Sequence, residues 1–189
     1  MPAPNGSLLI LSGEIGSGKT TLLQNLISDL KSVGVQIRGL LSPPVFEHDK
    51  KIGIDLVNLQ TGEKRRFAGL NENESMELAT ARWGFDSEVM EWGNQILSHT
   101  DPCQLLIVDE FGPLEFERGI GLVQGLAAVD QRHFQCALIV VRPGMLAMAL
   151  NRWPDAEVFP MARSTQVGIL SSLRERILAI LHGSIAAEN

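Results

Sequence analysis

Gly13-Glu14-Ile15-Gly16-Ser17-Gly18-Lys19-Thr20 matches the pattern GxxxxGK[ST], which constrains the fold because it works only between a strand and a helix. Leu8 to Leu11 form an apolar run that passes through Ser12 into this turn. Leu22, Leu23, Leu26, Ile27, Leu30 and Val33 then recur at helical spacing, and Gly34 marks a stop. The context is therefore strand, loop, helix. Glycines at these positions let successive backbone N–H groups converge on a phosphate, and the helix N-terminus adds partial positive charge. Residues Gly13 through Thr21 are the expected nucleotide-binding segment, with Lys19 reaching the β- and γ-phosphates and the Thr20 hydroxyl on magnesium.

The same alternation continues along the chain. Val35 to Leu41 reads as a second strand ending at Ser42-Pro43-Pro44. Ile52, Ile54 and Leu56 alternate with polar or small residues, a turn falls at Gln60 to Glu63, and Lys64 to Ala68 can return, which predicts an inserted β-hairpin. Between Asn71 and Ser98 the chain is polar and acidic, with Val89, Trp92 and Ile96 as a buried helical stripe. Leu105 to Val108 and Cys136 to Val141 are continuous apolar runs, the character of strands buried on both faces of a parallel sheet. Helices are expected at 120–129, where Gly121 and Gly125 weaken the signal, at 145–151 and at 168–181, with a short strand at 157–159. Repeated strand-helix units over one domain, 1–189, imply an α/β three-layer sandwich with right-handed crossovers.

A second chemical element is Leu105-Leu106-Ile107-Val108-Asp109-Glu110. An aspartate closing a buried strand lies at the carboxyl edge of the sheet, where Asp109 can hold magnesium with Thr20. Glu110 beside it is placed to polarise an attacking water as a general base. Arg142 ends the Cys136 strand. Cys103 precedes Asp109 by the same spacing as Cys136 precedes Arg142, so an in-register pair of strands sets Arg142 beside Asp109, as a γ-phosphate cation or a structural salt bridge. Such a register also brings Cys103 near Cys136 as buried free thiols. Glu115 has three readings open: orienting water, stabilising its loop, or lying on a solvated surface.

These residues carry a resemblance to the THEP-type nucleoside-triphosphatases, called cancer-related nucleoside-triphosphatases in animals. The phosphate loop, Gly39, Lys51-Ile52-Gly53-Ile54-Asp55-Leu56-Val57, Arg82-Trp83-Gly84-Phe85-Asp86 and Val108-Asp109-Glu110-Phe111-Gly112-Pro113-Leu114-Glu115 bear it, over nearly the whole chain. The resemblance implies a mainly parallel RecA-like sheet with a strand between the two nucleotide motifs, a catalytic glutamate at Glu110, and slow hydrolysis of several nucleoside triphosphates. This chain departs from the family at Ser42-Pro43-Pro44-Val45-Phe46 and at Lys51, where an arginine is common.

Composition trims the alternatives. With 44% hydrophobic and 20% charged residues the chain is globular, and a net charge of −6 argues against nucleic acid or an anionic membrane as principal partner. Two cysteines make no disulfide framework, and the amino terminus shows no leader or span, so a cytoplasmic protein is expected. His48, His99, His133 and His182 lack metal-ligand spacing. Asn-Lys-x-Asp, which reads guanine, does not occur, so ATP and GTP are both expected substrates. Magnesium-dependent triphosphate hydrolysis is the leading expectation, with Glu110, Lys19 and Arg142 catalytic. The rivals are a phosphotransferase closed by Lys64-Arg65-Arg66 and a nucleotide-gated module for an unidentified protein partner; Trp83 and Trp92 are read as core packing, with stacking on a base as the alternative.

Overall fold

A computed structural model describes residues 6–70, 83–100 and 102–186, with side chains through 183. Strand β1 (Ser7–Gly13) leads through the glycine turn into helix α1 (Lys19–Ser32). Gly34, at φ 87°, ends that helix in the left-handed conformation that suits glycine. The other elements are β2 (Ile37–Leu41), β3 (Pro44–Glu47), β4 (Lys50–Asn58), β5 (Lys64–Leu70), β6 (Trp83–Phe85), α2 (Ser87–Leu97), β7 (Cys103–Phe111), α3 (Pro113–Phe116), α4 (Val123–Gln131), β8 (Phe134–Val141), α5 (Leu146–Arg152), β9 (Glu157–Met161) and α6 (Gln166–Ala186).

The strands form one sheet in the order β6-β5-β4-β2-β7-β8-β1-β9, with β3 paired to β4. From β2 to β9 the neighbours are parallel, and the strands on the far side of β2 are antiparallel. Because strand side chains alternate, each parallel strand feeds two cores. Leu9, Leu11, Leu105, Ile107, Leu138 and Val140 face Leu23, Leu26, Leu173 and Ile177 of α1 and α6. Leu8, Ile10, Leu106, Val108 and Ile139 face Val89, Leu97, Leu126 and Ala149 of α2, α4 and α5. This is the expected three-layer α/β sandwich, and β8 lies between the strand of the phosphate loop and that of Asp109.

The insertion is larger than a hairpin. The expected strands became β4 and β5, but β3 and β6 flank them to give four antiparallel strands. The second strand ends at Leu41, just before Ser42-Pro43-Pro44 as expected, and Pro44 opens a separate strand, β3, that pairs with the start of β4. Residues 71–82, with Glu72, Glu74 and Glu77, lie outside the described residues. The buried face of α2 is Val89, Met90, Gly93 and Leu97, while Trp92 and Ile96 are partly buried beside it. Helix α4 starts after Gly121, so only Gly125 costs helix propensity. A Cβ there would sit 2.8 Å from Cζ of Phe111, so glycine permits the close packing. Among the described residues no helix is long and apolar enough to cross a membrane.

Gly39 sits where β2 meets β7, at φ 110°, and a Cβ there would lie 1.9 Å from the carbonyl oxygen of Ile107. Gly39→Ala combines a disfavoured backbone angle with a backbone clash, so a loss of about 2–4 kcal/mol is expected. Thermal unfolding checks it: the midpoint should fall by on the order of 10 °C.

Candidate active site

The phosphate loop closes on itself through a turn in which Ser17 N–H donates to the Glu14 carbonyl at 3.1 Å. Gly16 (φ 75°) and Gly18 (φ 93°) adopt the left-handed angles that aim neighbouring amides inward. Gly13 allows a second close approach, since a Cβ there would stand 2.4 Å from the carbonyl of Met161 on β9. Lys19 is buried. Its ammonium donates to the carbonyls of Gly13 at 2.6 Å and Glu14 at 3.0 Å, folding the side chain back over the loop.

The parallel ladder brings the second element alongside. Asp109 is 2% exposed, and its Oδ2 accepts from the Thr20 hydroxyl at 3.1 Å and from Ser42 N–H at 3.3 Å. The Ser42 hydroxyl donates to the Asp109 carbonyl in a short hydrogen bond. Burial, and after it the Glu110 charge, push the Asp109 carboxyl up to about 7 against the opposing bonds from Ser42 and Thr20. Thr20 and Asp109 thus offer two hard oxygen donors at one point, the donor type magnesium takes while keeping waters and substrate phosphates as its other ligands. No cluster of three His, Cys, Asp or Glu side chains occurs among the described residues.

Glu110 faces two cations. Its Oε1 accepts from Arg142 Nε at 2.5 Å, and its Oε2 lies 3.9 Å from the Lys19 ammonium. The path to that arrangement differs from the expected register. Leu105, not Cys103, is level with Cys136, and the ladder is irregular between Val108 and Phe111. Arg142 therefore stands past Phe111, whose carbonyl its N–H reaches at 3.3 Å, and it meets Glu110 rather than Asp109. The same two-residue offset corrects the cysteine expectation: Cys103 pairs with Phe134, and the two thiols belong to opposite cores. Both are buried and neither forms a disulfide, and burial pushes the Cys136 thiol up to about 12.

Glu115 is buried, which removes its solvated reading. Its two oxygens accept from Gly112 N–H at 2.9 Å and Leu122 N–H at 3.0 Å, tying the segment after β7 to the start of α4. Three basic residues of the insert, Lys64, Arg65 and Arg66, are paired with its carboxylates. Asp55 takes Arg66 at 2.8 Å and Lys64 at 3.5 Å, and Glu63 takes Arg65 at 2.7 Å. Arg65 also covers the Trp92 ring at 4.4 Å from its centroid, and Lys51 covers Trp83 at 5.0 Å, so each ring has a cation on its face already.

Sequence reasoning missed Ser42, Arg163 and Gln166. Arg163 Nε donates to the Gly16 carbonyl at 2.9 Å and Gln166 Nε2 to the Ser17 carbonyl at 2.8 Å. Both lie beyond residue 162 with no local pattern, and only the pairing of β9 with β1 brings them to the loop.

The model of the NTPase family matches residues 8–141. The chain is similar to a nucleoside-triphosphatase THEP1 of Caldivirga maquilingensis, 29% identical over 143 residues, 76% of this chain and 80% of that one. It is also similar to the protein of the same name from Sulfurisphaera tokodaii, at 28% over 105 residues, 56% of this chain and 60% of that protein, less than two thirds of its length. The solution structure of a human cancer-related nucleoside triphosphatase shares the fold, with a TM-score of 0.72 over 92% of this chain and 98% of that one at 20% identity.

Two outcomes are expected. Glu115→Ala orphans two buried N–H groups and should cost about 1–3 kcal/mol for each, read as a lowered unfolding midpoint, whereas Glu115→Gln keeps the acceptor geometry in part and loses less. For Asp109 the raised carboxyl means that the folded chain binds a proton more tightly than the unfolded one. Its contribution is full below the ordinary value of 3.8 and is lost as pH rises through about 7. In chelator, Asp109→Asn should therefore gain stability relative to the parent chain between pH 4 and pH 8, measured by denaturant titration at each pH.

Proposed function

The chain belongs to the NTPase family, and on that premise we propose that it is a magnesium-dependent nucleoside-triphosphatase of broad base preference, acting as one domain over residues 1–189. The observation that carries this reading is the meeting of Lys19, Glu110 and Arg142 over the phosphate loop, next to the oxygen pair of Thr20 and Asp109.

The amides from Gly13 to Thr21 and the Lys19 ammonium hold the triphosphate of ATP or GTP, and Lys19 gives up its carbonyl partners to do so. Thr20 and Asp109 hold magnesium, which when bound offsets charge on the β- and γ-phosphate oxygens. Glu110 takes a proton from water. The water oxygen bonds to the γ-phosphorus while the bond from that phosphorus to the bridging oxygen breaks, leaving a nucleoside diphosphate and phosphate. Arg142 now neutralises Glu110, so it must release the carboxylate before Glu110 can act as a base. A γ-phosphate, with more negative charge than one carboxylate, draws the guanidinium across and thereby frees the base as substrate arrives. The phosphotransferase reading is less favoured, because Lys64, Arg65 and Arg66 pair with Asp55 and Glu63 of the insert.

Phosphate release from a panel of magnesium nucleoside triphosphates tests this. Glu110→Gln should retain nucleotide affinity within a few-fold and lose about 10²–10⁴ in turnover, and undiminished turnover would overturn the base assignment. Lys19→Ala should lose binding. Arg142→Ala should lower kcat by about 10²–10³ if the guanidinium reaches the phosphate in the transition state; a loss confined to thermal stability would leave it a structural partner only.

A further inference from the structure

The triphosphate has a direction imposed by the strand order. Glu110 and Arg142 close β7 and β8, on one side of β1, so the reacting end of the triphosphate points that way. The nucleoside end must leave on the other side, where β9 pairs with β1 and Met161 is level with Gly13. The connection from β9 to α6 leaves the sheet there and packs on the outer face of the loop. Arg163 holds the carbonyl of Gly16, and Gln166 lies so close to Gly18 that a Cβ on that glycine would fall 1.9 Å from its Nε2.

That stretch and the loop it packs on carry the two most exposed large apolar side chains among the described residues. Val167, one residue past Gln166, is 81% exposed, and Ile15, one residue before Gly16, is 82% exposed, against 60% for Phe46, the next in order. Arg163 is exposed between them in the chain of contacts, with no carboxylate paired to it among the described residues. Toward the opposite edge of the sheet, by contrast, Arg132 pairs with Asp155, Arg152 with Asp130 and Arg176 with Glu157.

We infer that Arg163, Val167 and Ile15 form the nucleoside subsite, where the guanidinium plane and the two aliphatic side chains lie against the base of the bound triphosphate. The inference rests on the triphosphatase reading and extends it to the half of the substrate that the loop does not grip. Guanidinium planes stack on any π face, and aliphatic carbon has no hydrogen-bond pattern to read, so the subsite accepts purines and pyrimidines alike. Gln166 is a positioning residue that fixes this wall to the loop.

Binding titrations with the full chain and magnesium, comparing four nucleoside triphosphates with inorganic tripolyphosphate, test it. Tripolyphosphate fills the phosphate loop and has no base. Val167→Ser should weaken all four nucleotides by about three- to tenfold and Val167→Trp should tighten them by a similar factor, since stacking on an aromatic face adds to affinity. Tripolyphosphate should bind the parent and both variants alike. Equal losses for nucleotides and tripolyphosphate in Val167→Ser would show that the segment only props the loop and would overturn the subsite, as would nucleotide affinities unmoved in both variants. A parent chain that binds tripolyphosphate but no nucleotide better would overturn the subsite alone. A parent chain that binds neither would overturn the triphosphatase reading with it.

Discussion

The parallel pairing of β7, β8, β1 and β9 governs both the layering of the chain and the place of its candidate site. Parallel strands need both faces covered, because their crossover connections lay helices on each side, and here that cover is α1 and α6 on one face and α2, α4 and α5 on the other. All four strands then end at one edge. The phosphate loop, Asp109-Glu110, Arg142 and the β9–α6 turn are strand exits that this edge collects, so four segments spread between residues 13 and 166 meet there.

The same edge sets the electrostatics. Asp109 is taken out of water by the strands around it and is kept polar by Thr20 and by both the amide and the hydroxyl of Ser42. An uncompensated buried carboxyl binds its proton tightly, and a dication beside it reverses that preference. Glu110, one residue on and closer to solvent, is held between Lys19 and Arg142. Two adjacent carboxyls therefore occupy unlike environments, one walled in by oxygen and nitrogen donors and the other held between two cations. Around them, buried anchors such as Glu115 hold the loops, and Asp55 of the insert pairs with Arg66.

Patterns that depend on near neighbours were legible in the chain. The strand-loop-helix of the phosphate site, the two doubly buried strands at 105–108 and 136–141, and the core of the insert all emerge from periodicity and glycine placement, because those signals repeat over a few residues. Elements that depend on a partner strand were not. β3 and β6 carry little apolar pattern of their own and exist because β4 and β5 offer edges to pair with. The register of β8 against β7 was misjudged by two residues, since equal spacing from cysteine to the charged residue says nothing about where a ladder irregularity falls.

The phosphate loop, the carboxylate pair at 109–110 and the alternation that makes a layered α/β fold are written in the chain itself. Each of these is a local chemical requirement: glycine angles, a helix start, a buried strand that ends in an acid. Tertiary structure alone decided which cation answers Glu110, why Ser42 belongs to the site, and which segment backs the outer face of the loop. Those facts depend on strand order and register, which are settled by packing two faces of a sheet at once, and no short stretch of chain contains that information.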